Sequence, residues 1–335
     1  MSSVEGLARD HDLIVVDHPH IGLIAQSGCA VALDEVIDPD GLASLAAGSP
    51  GRSHQSYHYA GHQWAVAIDA ACHVSAWRPD LLPEPPITWA EVAELSRSGR
   101  VLWPLCDVDA AASMLTLLAC LKAPVSFAAG DVLDRAAARR GLALMREIAL
   151  ASDPRCLTAN PIDALEALGS GTAFCYAPLT FGYLNYARAR HSGAQIRFGD
   201  IPRFAVDDQP GRALLGGAGL AVSASSKHPD AAVRYALYVA SASAQRSTYL
   251  AAGGQPAHGE VWSDPAADEL SGGFFTGTGP TMEASWTRPR DPGFVRFQNE
   301  MIELFGDSRR WLMYPEEFLD NLEACCRRHV SRASP

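Results

Sequence analysis

Leu13-Ile-Val-Val16 is an unbroken apolar run closed by the polar cluster Asp17-His18-Pro19-His20. Such a run predicts a buried parallel strand whose C-terminal end opens onto a site. Helical spacing follows from Ile21 to Ala25, with Gly28 as the expected stop before Val31-Ala-Leu-Asp34. Ser56 to Asp69 alternates as two strands about Ala60-Gly61 and predicts a hairpin. Pro83, Pro85 and Pro86 interrupt the chain, and Thr88-Trp-Ala-Glu91 then has the spacing of a capping box that opens a helix. The helical period returns over 110–121, 133–149 and 162–168, with strands expected over 100–105, 172–176 and 195–198. Leu214 to Ser223 reads as a glycine-rich strand, 229–242, 294–305 and 315–328 as helices, and the Gly/Thr-rich stretch 271–281 as a loop. Helices and strands alternate, which makes the class α/β.

Length, composition and charge narrow the function. With 335 residues the chain forms two domains or one large one. Hydrophobic residues at 48% and charged residues at 19% supply a core and argue against disorder. Lys plus Arg number 27 against 38 for Asp plus Glu, a net charge of −11, so no basic surface awaits phosphates and nucleic acid is not an expected partner. The longest uncharged apolar stretch, 110–121, falls short of the roughly 20 residues of a bilayer span, so membrane insertion is not expected. The first ten residues carry no basic, apolar or cleavage pattern of a leader, which places the chain in the cytoplasm as encoded. Eight cysteines without a C-x-x-C pair fit free thiols in a reducing compartment.

Several segments, in order, resemble the extracellular solute-binding proteins of ABC transporters, the family that includes maltose-binding protein. They are Asp12 to Asp17 with Ile21 to Gly28 and Leu33-Asp34, Tyr59 to Asp69, Trp77 to Leu82, and Pro86-Ile-Thr-Trp-Ala-Glu-Val92. Gly216 to Ala232 and Gly253-Gly-Gln-Pro-Ala257 complete the set. The resemblance implies a two-lobed periplasmic-binding-protein-like α/β fold of type II, with a hinge and a ligand cleft between the lobes. It divides the chain into 1–70 plus 221–283 as lobe 1 and 71–220 plus 284–335 as lobe 2. The family's usual strand-helix-strand ahead of Asp12, roughly 60 residues on the scale of an α/β unit, has no counterpart here. Lobe 1 is then N-terminally incomplete, Leu13 to Val16 becomes an apolar edge, and a missing leader would move the protein to the periplasm or cell exterior. Asp69 to Cys72, Gly216 to Gly219 and a segment near Met282 to Trp286 are the expected crossings between lobes.

The candidate ligand contacts follow. Asp17, His18 and His20 sit at a strand end, where open α/β sheets bind ligands; the bland alternative is a solvated turn. Asp69 ends the hairpin and either accepts ligand hydroxyls or caps backbone. Tyr176, Phe181 and Tyr183 fall where the family places an aromatic platform suited to ring faces, although aromatic stripes also build cores. Trp286, Arg288 and Arg290 resemble the segment that re-enters the cleft, where a guanidinium suits an anion or a ring. His54, His58 and His62 would face a metal on a helix but diverge on a hairpin, so neither a metal nor a cofactor is expected. No G-x-S-x-G elbow or P-loop is present, and Cys72-His73 on a strand would point apart. The expected function is capture of a small polar ligand, a sugar or related solute, with an ABC permease as a partner. The alternative is a cytoplasmic enzyme or ligand sensor on the same scaffold, with acid-base chemistry from Asp17, His18 and Asp69.

Overall fold

In the computed structural model, residues 3–127, 133–171, 173–188 and 193–330 are described. Seven strands lie among them: β1 (Leu13–Val16), β2 (His58–Tyr59), β3 (His62–Gln63), β4 (Val66–Trp77), β5 (Tyr176–Phe181), β6 (Arg197–Gly199) and β7 (Leu215–Val222). β4 organises the molecule because its two halves have different partners. Val66 to Cys72 pair with β7, and His73 to Trp77 pair with β5 on one side and β6 on the other, all antiparallel. β1 lies beyond β7, so the order is β1-β7-β4-β5 with β6 beside the second half of β4. The pairing changes at Cys72/His73, at the end of the Asp69 to Cys72 segment.

Several local readings hold. Ile21–Ser27 is helical and ends on Gly28 at φ +63°, where the left-handed backbone carries no Cβ penalty. Ala60 and Gly61, both at positive φ, turn β2 into β3, but the hairpin spans only 58–63: Val66 to Asp69 pair with β7 instead, so Asp69 lies inside β4 rather than at a hairpin end. Thr88 and Glu91 form the reciprocal capping box at the start of Trp89–Ser96. Asp107–Cys120, Arg135–Ala151, Pro161–Gly169, Pro229–Ala240, Pro292–Gly306 and Pro315–Val330 are the remaining long helices that the periodicity anticipates.

Four further expectations need correction. β1 is an antiparallel edge strand rather than a buried parallel one, and Val15 on it is 60% exposed. Residues 100–105 form no strand, only a bridge from Val101 to Tyr176: Arg100 and Leu102 bond Cys175 and Tyr176, but Leu105 already turns to Cys156. The strand expected over 172–176 begins only at Tyr176, and Thr172 lies outside the described residues. The stretch 271–281 is mostly helix, Phe274–Ala284. Its low propensity is overridden by packing: Phe274, Phe275, Thr278, Thr281 and Met282 are buried, and the helix lies against β6.

The core is continuous from the helix Asp107–Cys120 through β4 and β5 to the C-terminal helices. A smaller cluster, Val66, Ile68, Leu220, Val222, Ala232 and Ala236 among it, holds the helix Pro229–Ala240 on β4 and β7. Two glycines of β7 receive rings from neighbouring elements. A Cβ on Gly216 would meet Phe181 at 2.7 Å, and one on Gly219 would meet Tyr57 at 2.5 Å.

Candidate functional site

Asp69 sits on β4 just before the partner exchange. It accepts hydrogen bonds from the Tyr249 hydroxyl at 3.1 Å and from the Gln255 backbone N–H at 3.3 Å. Burial pushes its carboxyl up to about 6, against these two bonds, which lower it. Asp69 lines a cavity of ≈ 310 Å³ together with Phe181, Tyr183, Asn185, Gly217 and Gln255. The cavity thus sets a carboxylate beside two aromatic faces, one half-buried and one, Tyr183, 42% exposed. Gly217 belongs here for a backbone reason: it lies at φ +96°, and a Cβ would stand 2.2 Å from the Asp69 carbonyl oxygen.

Phe181 links this cavity to a second polar group. Its ring packs on the His73 imidazole, centroids 4.5 Å apart. His73 Nδ1 is 2.8 Å from Thr116 Oγ1, and the Leu214 N–H donates to that same oxygen at 3.1 Å. Burial first, then the Arg288 charge, brings His73 down to about 3, so the ring is neutral. Next to the Leu214 segment, Trp286 exchanges backbone hydrogen bonds with Ala213 and Leu215, which fixes the approach of Arg288. The Arg288 Nη1–H donates to Gln298 Oε1 at 3.0 Å, while its Nε is buried without a partner.

His18 completes the arrangement. It is fully buried, makes an edge contact with Tyr57, and both its ring nitrogens lack a partner. Burial holds it well below the usual imidazole range, and Arg288, Arg290 and His20 add to that. Tyr57 is buried too, its phenol pushed up by burial and by Asp17 and Asp69. Gly22 allows this convergence, since a Cβ there would overlap the Arg290 carbonyl oxygen at 1.8 Å. The helix Ile21–Ser27 therefore docks directly on the segment that carries both arginines. Two orphaned imidazole nitrogens beside an orphaned guanidinium N–H are costly unless water or a ligand meets them.

The residues singled out in the sequence fall into distinct places. Asp69, Phe181 and Tyr183 share the cavity, and Asp17, His18 and Arg288 are electrostatic neighbours of one another outside its lining. His20 is half-buried; Arg290 donates to the Gln55 carbonyl at 3.3 Å. Tyr176 is enclosed in the core opposite Trp77, and its spacing of five from Phe181 puts the two rings on opposite faces of β5. Trp286 is buried. Tyr57, His73, Thr116 and Tyr249 were not anticipated; the alternation of Asp69, Ala71 and His73 was the available signal for His73. The three histidines 54, 58 and 62 do not converge: His62 Nδ1 lies 3.0 Å from Asp34, on the other side of the turn. A wider groove of ≈ 580 Å³ runs past His54 and His58, but its Gln63 amide already donates to the His54 and Ala65 carbonyls.

Known proteins fit this geometry. The sequence profile of bacterial extracellular solute-binding proteins matches residues 4–269. The chain belongs to that family. Its fold is that of the maltose-bound T. maritima MalE3, with TM-score 0.82 at 17% identity, covering 96% of this chain and 85% of that one. A solute-binding protein of an Agrobacterium radiobacter K84 ABC transporter, in complex with ribitol, gives TM-score 0.82 at 17% identity over 96% and 86%. One from Thermotoga lettingae, bound to α-D-tagatose, gives 0.76 at 14% over 96% and 85%. No curated protein sequence matches the chain. This solute-binding protein therefore has the two-lobed α/β architecture that the resemblance implies, with the strand exchange at its centre. Among the described residues no helix is long and apolar enough to cross a membrane.

Proposed function

We propose that this solute-binding protein captures a small polyhydroxylated solute, a sugar or polyol, and delivers it to an ABC permease outside the cytoplasm. The observation that carries the reading is the cavity at the strand exchange, where the Asp69 carboxylate stands beside Phe181 and Tyr183. A carboxylate accepts two hydroxyl protons, and a flat aromatic face covers the C–H face of a sugar ring. Relatives of like fold bound to maltose, ribitol and tagatose support the same chemical class.

On this reading β1, β7 and the first half of β4 belong to one lobe, and β5, β6 and the second half of β4 to the other. Helix Phe274–Ala284 goes with the second lobe, because Thr281 bonds Asp200 just after β6, rather than with lobe 1, where a division at 283 puts it. Only a ligand that binds the closed state better than the open one shifts the balance between them.

A melting-temperature screen over sugars, polyols, carboxylates and nucleosides tests the proposal. A sugar or polyol at 100 times its dissociation constant stabilises the fold by about 2.7 kcal/mol. Stabilisation confined to carboxylates or nucleosides would overturn it.

A further inference from the structure

Away from the cleft, helix Pro315–Val330 packs along helix Pro292–Gly306. Cys325 and His329 are four residues apart and share one helix face. Both face Glu300 on the neighbouring helix. His329 Nε2 lies 2.7 Å from Glu300 Oε2, and one ligand atom from each of the three residues falls within 4.8 Å of the other two. The Cys325 thiol donates to the Phe297 carbonyl oxygen at 3.9 Å. Arg328 engages the other carboxylate oxygen, Oε1. Cys325 is fully buried and His329 is 8% exposed, whereas the Glu300 side chain is 30% exposed.

A carboxylate only accepts, so the imidazole proton points at Glu300, while the thiol proton is held by the Phe297 carbonyl beside it. We propose that a divalent ion of the zinc class replaces these two protons, held by Glu300 Oε2, Cys325 Sγ and His329 Nε2. The donor set of one thiolate, one imidazole and one carboxylate suits zinc rather than magnesium or calcium. The thiol and imidazole protons leave to solvent as the ion binds, and water fills the fourth position from the exposed side of Glu300. The ion would fasten the last helix to the helix that follows the Arg288–Arg290 segment.

Tag-free full-length protein is titrated with Co²⁺ and followed by thiolate-to-cobalt absorption, then with Zn²⁺ by calorimetry. The expected result is one ion per chain with the absorption band present, retained in C326S and lost in C325S. E300Q and H329Q should each weaken Zn²⁺ binding tenfold or more while keeping the metal-free melting temperature, which covers the case that C325S does not fold. Absence of the band from the wild-type protein, its persistence in C325S, or unchanged Zn²⁺ affinity in E300Q and H329Q would overturn the proposal.

Discussion

His18, His54 and His73 are buried imidazoles whose pKa values burial lowers, His54 to about 4 and His73 to about 3. In the unfolded chain each takes a proton near the ordinary value of about 6.5. Below that pH the unfolded state binds more protons, so stability falls as pH falls. Asp69 works the other way: folded, it takes a proton at about 6 that the unfolded carboxyl takes only lower. Between pH 6 and 4 the imidazoles outweigh Asp69, so the net effect is loss of stability as the pH falls. The ligand-free melting temperature should therefore drop steeply below pH 6.5, and H73N should make the drop shallower by one proton. A flat profile from pH 7 to 5 would show that these rings are hydrated. Ligand affinity should also weaken below pH 6 as Asp69 protonates, and D69N should remove that dependence at a cost of roughly 1.5–3 kcal/mol, the range for a hydrogen bond to a charged group; calorimetry across pH 5 to 8 measures both. His18 drew notice because it follows the end of β1, and Asp69 because it reads as a hairpin end, although it lies inside β4. Tyr57 and His73 did not, since their role arises from distant segments meeting, which no local spacing encodes.

At the scale of elements, the glycine-rich strand was legible and its register was not. Gly217 must be glycine for two independent reasons, its positive φ and its approach to the Asp69 carbonyl. Gly99 has a similar φ of +72° with nothing within 4 Å, so it isolates the backbone cost. G217A should destabilise by several kcal/mol and G99A by about 1 kcal/mol, the difference being overpacking; urea unfolding of the pair provides the comparison. Helix Phe274–Ala284 escaped sequence reading because its glycines, threonines and Pro280 argue for a loop. Only tertiary burial of Phe274, Phe275 and Met282 outweighs that preference. β1 was misread as parallel because an apolar run does not report its neighbour's direction. Val15 projects from the edge of the sheet, and Val15→Lys should reduce aggregation at unchanged melting temperature. Light scattering on heating checks this.

At the scale of the whole molecule, the fold was legible through the order of several individually weak segments spread along the chain. Local patterns supplied the helices, but only that order implied a strand shared between two sets of partners. Of the candidate residues, Asp69, Phe181 and Tyr183 share a cavity, while Tyr176 turns to the core by strand alternation. The account rests on a ligand seated in that cavity, and Tyr183 is the wall residue that can be removed with least effect on the core, being 42% exposed. The decisive measurement is calorimetric titration of wild type and Y183A with the sugar or polyol that most raises the wild-type melting temperature. The account predicts tenfold or weaker binding in Y183A with an unchanged ligand-free melting temperature. Equal affinity in the two proteins would contradict it and move the ligand elsewhere.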